Sequence, residues 1–280
     1  MRDGYADLGD VQLHYVEAGE GPLVVLLHGF PEFWYGWRAQ IEPLAAAGLR
    51  VVAPDLRGYN LSSKPHGVAA YDLDPLARDI RDLIAERGEQ RACVAGHDWG
   101  GAVAWATAMF HPEVIERLAI LNAPHPRRFI EAVHRPRQLA KSWYMGFFQL
   151  PVLPERVVRR GFRDHFLRDA RAGAFTPADL ERYDEAWAQP GALTSSLNYY
   201  RALSRLTPWG AKRRILPVEA PTRVIWGERD RYLLPSLAEP LRSDVPNLER
   251  VIRLDTSHWV QHDAPGQVAD LLTEFFVPSR

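Results

Sequence analysis

The chain has 280 residues, of which 46% are hydrophobic and 25% charged, and its formal net charge is −1 at pH 7. A chain of this length and composition can bury a substantial core, which excludes a disordered protein. Its one cysteine, Cys93, excludes a disulfide framework and a cysteine-rich metal site. The acidic N-terminus shows no apolar leader, and no apolar run is long enough to span a membrane. We therefore expect a cytoplasmic protein without a membrane partner.

The charge is unevenly distributed along the chain. Residues 125–214 carry 17 Lys and Arg against 8 Asp and Glu, whereas the rest of the chain carries 17 against 27. The basic stretch lacks the stripe of cations with interleaved aromatic residues that is typical of a nucleic-acid surface. We interpret it as a basic segment over an acidic core, and we expect no nucleic-acid partner.

Apolar runs of strand length alternate with helical patterns along the chain. Six runs rich in β-branched residues predict buried strands: 23–29, 50–56, 91–98, 117–124, 222–230 and 250–255. Helical patterns such as 73–88 and 100–110 lie between them, and this alternation predicts a mostly parallel, doubly wound α/β sheet. The alternating segment 11–19 predicts an antiparallel edge hairpin with residues 5–8.

The strand pattern stops in residues 125–214. This stretch is rich in arginine and aromatic residues, and prolines divide it into short helical segments such as 178–188. Because it stands between two strands of the sheet, we predict an inserted helical cap, or lid, over the carboxyl edge of the strands, where open α/β sheets place their sites. The core then consists of residues 1–124 and 215–280.

Residues 96–100 read Gly-His-Asp-Trp-Gly and join a predicted strand to a predicted helix. This is the Gly-x-nucleophile-x-Gly pattern of a sharp strand-to-helix turn, with Asp98 at the position where serine is usual. The helix dipole and the N–H of Trp99 favour an ionised carboxylate there. An aspartate that only caps the helix gives the same short pattern, so the assignment depends on the rest of the chain.

A second motif supplies hydrogen-bond donors to this turn. Phe30 follows His28 and Gly29 at the end of the first predicted parallel strand. The turn can direct the backbone N–H of Phe30 toward the nucleophile, where it forms an oxyanion hole together with the N–H of Trp99. His28 lies beneath this turn and is interpreted as a structural hydrogen-bonding residue.

Two further titratable residues follow later strands. Asp230 ends the run 222–230, and His258 comes after the run 250–255. Because the carboxyl ends of parallel strands meet at one edge, we expect both side chains beside Asp98. In proteins that carry their nucleophile on such a sharp strand-to-helix turn, the acid and then the histidine follow the nucleophile along the chain. Asp98, Asp230 and His258 stand in this order.

The sequence gives no support for a metal or cofactor. His258 and His262 are four residues apart, a spacing found in zinc sites on helices. Trp259 stands between them where a His-Glu-x-x-His site carries its glutamate base, so the spacing is not interpreted as a metal site. No phosphate-binding loop or Gly-x-Gly-x-x-Gly motif follows a predicted strand.

Five motifs give the chain a family resemblance: HGFPEFWYGWR, VAPDLRGYNLSSKP, AGHDWGG, LNAPHP and SHWVQHDAP. Across nearly its whole length the chain resembles the epoxide hydrolases of the α/β-hydrolase fold, in the branch shared with the dehalogenases. The resemblance implies Asp98 as nucleophile, Asp230 as acid and His258 as base.

The resemblance also implies two cap tyrosines that hold and protonate an epoxide oxygen. The segment SWYMGFFQLP is similar to the one that carries the first, which corresponds to Tyr144. The segment SLNYYRALSR is similar to the one that carries the second, which corresponds to Tyr200 rather than Tyr199. The implied reaction converts an epoxide and water into a vicinal diol through an ester on Asp98. A saturated carbon needs backside displacement by an anion, which explains aspartate in place of serine.

Other functions remain open at this stage. Haloalkane dehalogenases use the same nucleophile, and the Trp99 indole could donate to a leaving halide. These enzymes usually carry a second side-chain donor, commonly Asn, where this chain has Phe30. Fluoroacetate dehalogenases typically carry Arg where this chain has Trp99. An ester or lactone hydrolase, and a binding protein that kept the fold without turnover, are further alternatives.

Aromatic residues near these motifs suggest an apolar substrate pocket. The candidates are Phe33, Trp34, Trp37, Trp105, Trp143, Phe147 and Phe148. The expected ligands are a small apolar epoxide and water, and the expected assembly is a monomer or a homodimer.

Overall fold

The structure, a computed structural model, describes residues 1–203 and 215–277, with the side chains of all these residues except 162–167. A sheet of eight strands forms its centre: β1 (Arg2–Asp7), β2 (Gln12–Ala18), β3 (Leu23–Leu27), β4 (Arg50–Pro54), β5 (Ala92–His97), β6 (Ile115–Leu121), β7 (Thr222–Gly227) and β8 (Leu248–Leu254). Their spatial order is β1-β2-β4-β3-β5-β6-β7-β8.

The sheet is parallel except at one edge. β1 and β2 form an antiparallel hairpin, β2 is also antiparallel to β4, and the strands from β4 to β8 are parallel. The six predicted buried strands are all present, within a few residues of their predicted bounds. The predicted doubly wound, mostly parallel sheet with an antiparallel edge hairpin is therefore confirmed.

Helices cover both faces of the sheet, because successive residues of a strand point to opposite sides. In β3, Val24 and Leu26 belong to the apolar core that includes side chains of α1 and α11. Val25 and Leu27 belong to the core that includes side chains of α2 and α3. The α-helices of the described residues are α1 (Arg38–Ala46), α2 (Leu73–Glu86), α3 (Trp99–Phe110), α4 (Pro126–Val133), α5 (Pro136–Lys141), α6 (Trp143–Phe147), α7 (Leu153–Asp169), α8 (Pro177–Ala188), α9 (Ala192–Leu203), α10 (Val260–Asp263) and α11 (Pro265–Phe276).

Six of these helices, α4 to α9, lie between β6 and β7, as the proline pattern predicts. Helix α8 shows why they begin where they do: Thr176 accepts from the Asp179 N–H and Asp179 accepts from the Thr176 N–H, while Pro177 opens the first turn. Residues 204–214 of the predicted cap lie outside the described residues. No helix in the described part of the chain is both long and apolar enough to cross a membrane.

Candidate active site

Asp98 sits on a sharp turn between β5 and α3. Its backbone has φ 51° and ψ −118°, an unusual conformation for a residue other than glycine. The turn is closely packed: a Cβ at Gly96 would lie 2.3 Å from the Gly100 carbonyl oxygen, and one at Gly100 would lie 2.1 Å from the Leu27 carbonyl oxygen. The two glycines therefore allow the chain to turn tightly enough to present the Asp98 side chain above the sheet.

The two carboxylate oxygens of Asp98 have different surroundings. The backbone N–H of Phe30 donates to Oδ1 at 2.8 Å. Oδ2 lies 3.4 Å from Nε2 of His258. The N–H of Trp99 belongs to the first turn of α3, where backbone amides have no acceptor within the helix. One oxygen is thus held by a backbone donor while the other faces the imidazole.

His258 and Asp230 form a buried pair beside Asp98. Nδ1 of His258 is 2.7 Å from Oδ2 of Asp230, and both side chains are buried. Oδ2 of Asp230 also accepts from the Asn122 amide at 2.7 Å. Its Oδ1 accepts from two backbone N–H groups, at 2.7 Å and 2.9 Å, of the residues that follow it in the 230–234 loop.

The charges in this pair stabilise each other. Burial by itself raises the pKa of Asp230, but the His258 charge and hydrogen bonds from His258 and Asn122 hold that pKa below its ordinary value. Burial lowers the pKa of His258, but Asp230 and Asp98 outweigh this effect and raise it to about 10. With both carboxylates ionised, the imidazole is therefore protonated at neutral pH.

A cavity of about 500 Å³ opens above Asp98 and His258, and Tyr144 and Tyr200 line it. The two tyrosine rings are edge to face, with centroids 5.8 Å apart. Tyr144 is half-buried on α6 and Tyr200 is buried on α9. The structure therefore places four of the five side chains that the sequence singles out at one cavity, with the fifth, Asp230, directly behind His258.

Both phenols stay protonated over a wide pH range. Burial and the nearby charge of Asp98 raise the pKa of Tyr144 and that of Tyr200 well above the ordinary value. A side-chain hydrogen bond with Trp99 opposes the rise at Tyr200. Tyr199 points elsewhere, since its hydroxyl donates to the Arg57 carbonyl at 2.7 Å in the core. Tyr200 is thus the α9 tyrosine that faces the cavity.

Comparison with known proteins assigns the family. The profile of the alpha/beta hydrolase fold family matches residues 22–265. A human protein named epoxide hydrolase 4 is 40% identical over 95% of this chain and 75% of its own length. The chain belongs to the epoxide hydrolase family of the α/β-hydrolase fold. It is accordingly a hydrolase, and the predicted fold class is confirmed.

Two further similar proteins match nearly the whole chain. An alpha/beta hydrolase superfamily protein of Bacillus subtilis, YfhM, is 45% identical over 97% of this chain and 96% of its own length. The crystal structure of a Bacillus megaterium epoxide hydrolase in complex with an inhibitor has a TM-score of 0.87 at 32% identity, covering 97% of this chain and 99% of that one.

The aromatic residues expected at the pocket divide into two groups. Trp143, Phe147 and Phe148 line the cavity, with the Trp143 side chain 67% exposed. The other four do not line it, contrary to the expectation from sequence. Phe33, Trp37 and Trp105 are buried in the apolar cores, and Trp34 is partly buried against them. Trp37 and Trp105 are fully buried.

Several residues that shape the site were missed in the sequence. Asn122, at the end of β6, has a positive φ of 42° and binds both Asp230 and the Gly227 N–H, the latter at 2.8 Å. Tyr232 lines the cavity beside His258. The motif LNAPHP at the end of a predicted strand indicates Asn122, whereas no local sequence pattern distinguishes Tyr232.

Glu32 is a buried carboxylate that binds His262, the second histidine of the motif SHWVQHDAP. Glu32 accepts from the Tyr183 hydroxyl at 2.8 Å and lies 2.6 Å from Nε2 of His262. Burial raises the pKa of Glu32, but the charges of His262 and His97 and hydrogen bonds with both together hold it well below its ordinary value. His258 and His262 thus have separate carboxylate partners. Among residues 1–203 and 215–277, no group of three or more His, Cys, Asp or Glu side chains is arranged to hold a metal ion.

Proposed function

We propose that this chain hydrolyses epoxides to vicinal diols through a covalent ester on Asp98. One observation carries the proposal. Two protonated phenols, Tyr144 and Tyr200, line the same cavity as the Asp98 carboxylate. His258 lies beside that carboxylate, with the Asp230 carboxylate behind it. The names of the relatives support the same reaction. Both tyrosines come from the segment between β6 and β7, which we propose acts as a cap over the core.

In the first step, Asp98 opens the epoxide ring. Oδ2 attacks an epoxide carbon from the side opposite the C–O bond, that bond breaks, and its electron pair moves onto the oxygen. Tyr144 and Tyr200 donate hydrogen bonds to this oxygen, and one of them transfers its proton to the developing alkoxide. Meanwhile the Phe30 N–H holds Oδ1, which fixes the orientation of the carboxylate.

In the second step, water hydrolyses the ester at the carboxyl carbon of Asp98. His258 removes a proton from the water while Asp230 stabilises the imidazolium that forms. The negative charge develops on Oδ1, beside the N–H groups of Phe30 and Trp99. The intermediate then collapses, the diol leaves with Oδ2 as its new oxygen, and the proton taken by His258 goes to the leaving alkoxide. The second proton of the water remains on the Asp98 carboxyl group and passes to His258, which restores the carboxylate and the imidazolium.

The charge of Asp98 also explains why the base becomes available only in the second step. In the resting enzyme Asp98 and Asp230 both raise the pKa of His258, so the imidazole is protonated. Formation of the neutral ester removes the Asp98 charge and lowers the pKa of His258. The imidazolium then gives its proton to the tyrosinate left by the first step, and neutral His258 can activate water.

The dehalogenase alternative has less support. Its leaving halide needs free side-chain donors beside the nucleophile, and Phe30 provides only a backbone N–H. The Trp99 ring packs edge to face against the Tyr200 ring, with centroids 5.1 Å apart, so Trp99 belongs to the surroundings of a phenol rather than to a separate halide pocket. The cavity instead presents two phenols, which suit an oxygen leaving group that must be protonated.

A screen of small aryl and alkyl epoxides beside matched haloalkanes tests the proposal, with diol and halide measured in parallel. We expect diol from the epoxides, little halide, and no product with the Asp98→Asn variant. Halide release without diol would favour the dehalogenase reading. The absence of both products would favour a protein that binds without turnover.

A further inference from the structure

Residues 230–234 form the loop that carries Asp230, the proposed catalytic acid. Hydrogen bonds from the predicted cap hold this loop, in addition to its connection to β7. We call it the acid loop. Gln138 on α5 donates to the Tyr232 carbonyl at 2.8 Å and accepts from another backbone N–H of the loop at 3.0 Å. Lys141, at the end of α5, donates to the Asp230 carbonyl at 2.7 Å. Helix α5 therefore fixes the backbone of the acid loop.

Helix α7 binds the same loop through one buried carboxylate. Asp169 is the last residue of α7, and its side chain is only 4% exposed. Its Oδ1 accepts from Arg231 at 2.6 Å, and its Oδ2 accepts from the hydroxyl of Tyr232. The Arg231 side chain is 57% exposed, so this ion pair contributes little. The hydrogen bond from the Tyr232 hydroxyl to Asp169 constrains the acid loop more strongly, because it is part-buried whereas the bond from Arg231 is exposed.

The ring of Tyr232 lies between groups that act in different steps of the proposed reaction. It meets the His258 ring edge to face, with centroids 5.1 Å apart at an interplanar angle of 77°. It meets the Tyr144 ring in the same way, at 5.7 Å and 87°. Since Tyr232 also lines the cavity, any rotation of its ring changes the space next to both the base and a proton donor.

We propose that Asp169 is a positioning residue, which holds the Tyr232 ring between His258 and Tyr144 by accepting the Tyr232 hydroxyl proton in a hydrogen bond. This role rests on the proposed function, because it concerns the alignment of its proton donor and base. Asp169 also keeps the Tyr232 hydroxyl bound away from the epoxide oxygen. Tyr144 and Tyr200 therefore remain the proton-donating pair.

A double-mutant cycle on kcat/KM for an epoxide tests this role. Tyr232→Phe and Asp169→Ala each remove the same hydrogen bond, so each should lower kcat/KM about tenfold, and the double variant should be no worse than either single one. Asp169→Asn keeps an acceptor oxygen and should restore kcat/KM to within about threefold of the wild type. Tyr71→Phe is the control, since it removes a similar bond to the Pro65 carbonyl, 2.8 Å long, away from the cavity.

The imidazole NMR signals of His258 provide a readout that does not depend on turnover. We expect Asp169→Ala and Tyr232→Phe to shift them similarly, and Asp169→Asn and Tyr71→Phe to leave them as in the wild type. Additive losses in kcat/KM, or wild-type His258 signals in Asp169→Ala, would overturn the positioning role. If the wild type turns over no epoxide, the proposed function fails, and the NMR comparison still decides the role of Asp169.

Discussion

The backbone of Asp98 explains why this aspartate faces the cavity instead of capping α3. A residue held in a sparsely populated conformation costs about 1–3 kcal/mol and persists only where its surroundings enforce it. Here the Asp98 N–H donates to the Leu121 carbonyl at 3.2 Å, and the Asp98 carbonyl accepts from the Ala102 N–H at 3.0 Å. The side chain makes no cap hydrogen bond to α3. It is therefore free to face the cavity.

The two phenols give a prediction at the level of single hydroxyl groups. Tyr144→Phe or Tyr200→Phe leaves one donor for the epoxide oxygen, so each should lower the rate of ester formation by about 10- to 100-fold, and the double variant should be nearly inactive. Single-turnover kinetics measure this rate. Tyr199→Phe is the matched control on the same helix, because its hydroxyl is bound in the core. A double variant that opens epoxides at the wild-type rate would refute the assignment.

The titration of His258 gives a second prediction at this scale. Because the Asp98 charge contributes to the His258 pKa of about 10, Asp98→Asn should move the titration of the imidazole to lower pH. In the ester, where the Asp98 charge is absent, hydrolysis should slow as pH falls, because a protonated imidazole cannot remove a proton from water. NMR titration of histidine-labelled protein measures the first effect, with His258→Gln to assign the signal. An unchanged or higher pKa in Asp98→Asn would mean that the two side chains are not coupled.

At the scale of elements, the site is assembled by the ends of parallel strands. Asp98 follows β5, Asn122 follows β6, Asp230 follows β7 and His258 follows β8. The sheet order sets β5, β6, β7 and β8 side by side, so residues far apart in the chain meet at one edge. The strand ends could be predicted because buried parallel strands are continuous apolar runs, and the proposed triad is built on those ends.

Asn122 connects two of these strand ends, and its replacement by aspartate tests that connection. Asn122→Asp keeps the shape and the tolerance for positive φ, but it removes the donor to Asp230 and places a like charge beside it. We expect a loss of about 1–3 kcal/mol in the free energy of unfolding at neutral pH, measured by urea denaturation. Asn247→Asp, at an exposed asparagine, is the control. Equal stability of the two variants would show that Asn122 does not hold the acid.

The helical segment was harder to interpret than the strands. Prolines and the loss of strand pattern predicted short helices, and a resemblance of motifs identified Tyr144 and Tyr200. The sequence does not distinguish aromatic residues that line the pocket from those in the core, because an aromatic side chain packs equally well in either place. Trp37 and Trp105, which were expected at the pocket, are core residues instead. The partners of Asp169 are 62 and 63 residues away in the chain, so no local pattern could indicate them.

At the scale of the whole molecule, chemistry is divided between two parts of the chain. In the proposed reaction the strand ends of the sheet provide the nucleophile, the base and the acid, while the segment between β6 and β7 provides the proton donors. The acid loop is bound by α5 and α7 of that segment. The two parts must therefore be packed together for both steps of the proposed reaction, a requirement that composition and charge could not reveal.

The origin of the diol oxygen tests the covalent mechanism most directly. A single turnover in ¹⁸O-labelled water with enzyme in excess should give mostly unlabelled diol, because the new oxygen comes from Asp98, and the label should appear in the peptide that contains Asp98. His258→Gln should accumulate the ester, seen as an intact mass raised by one substrate. Labelled diol from the first turnover, with no adduct in His258→Gln, would contradict the account and make Asp98 a general base.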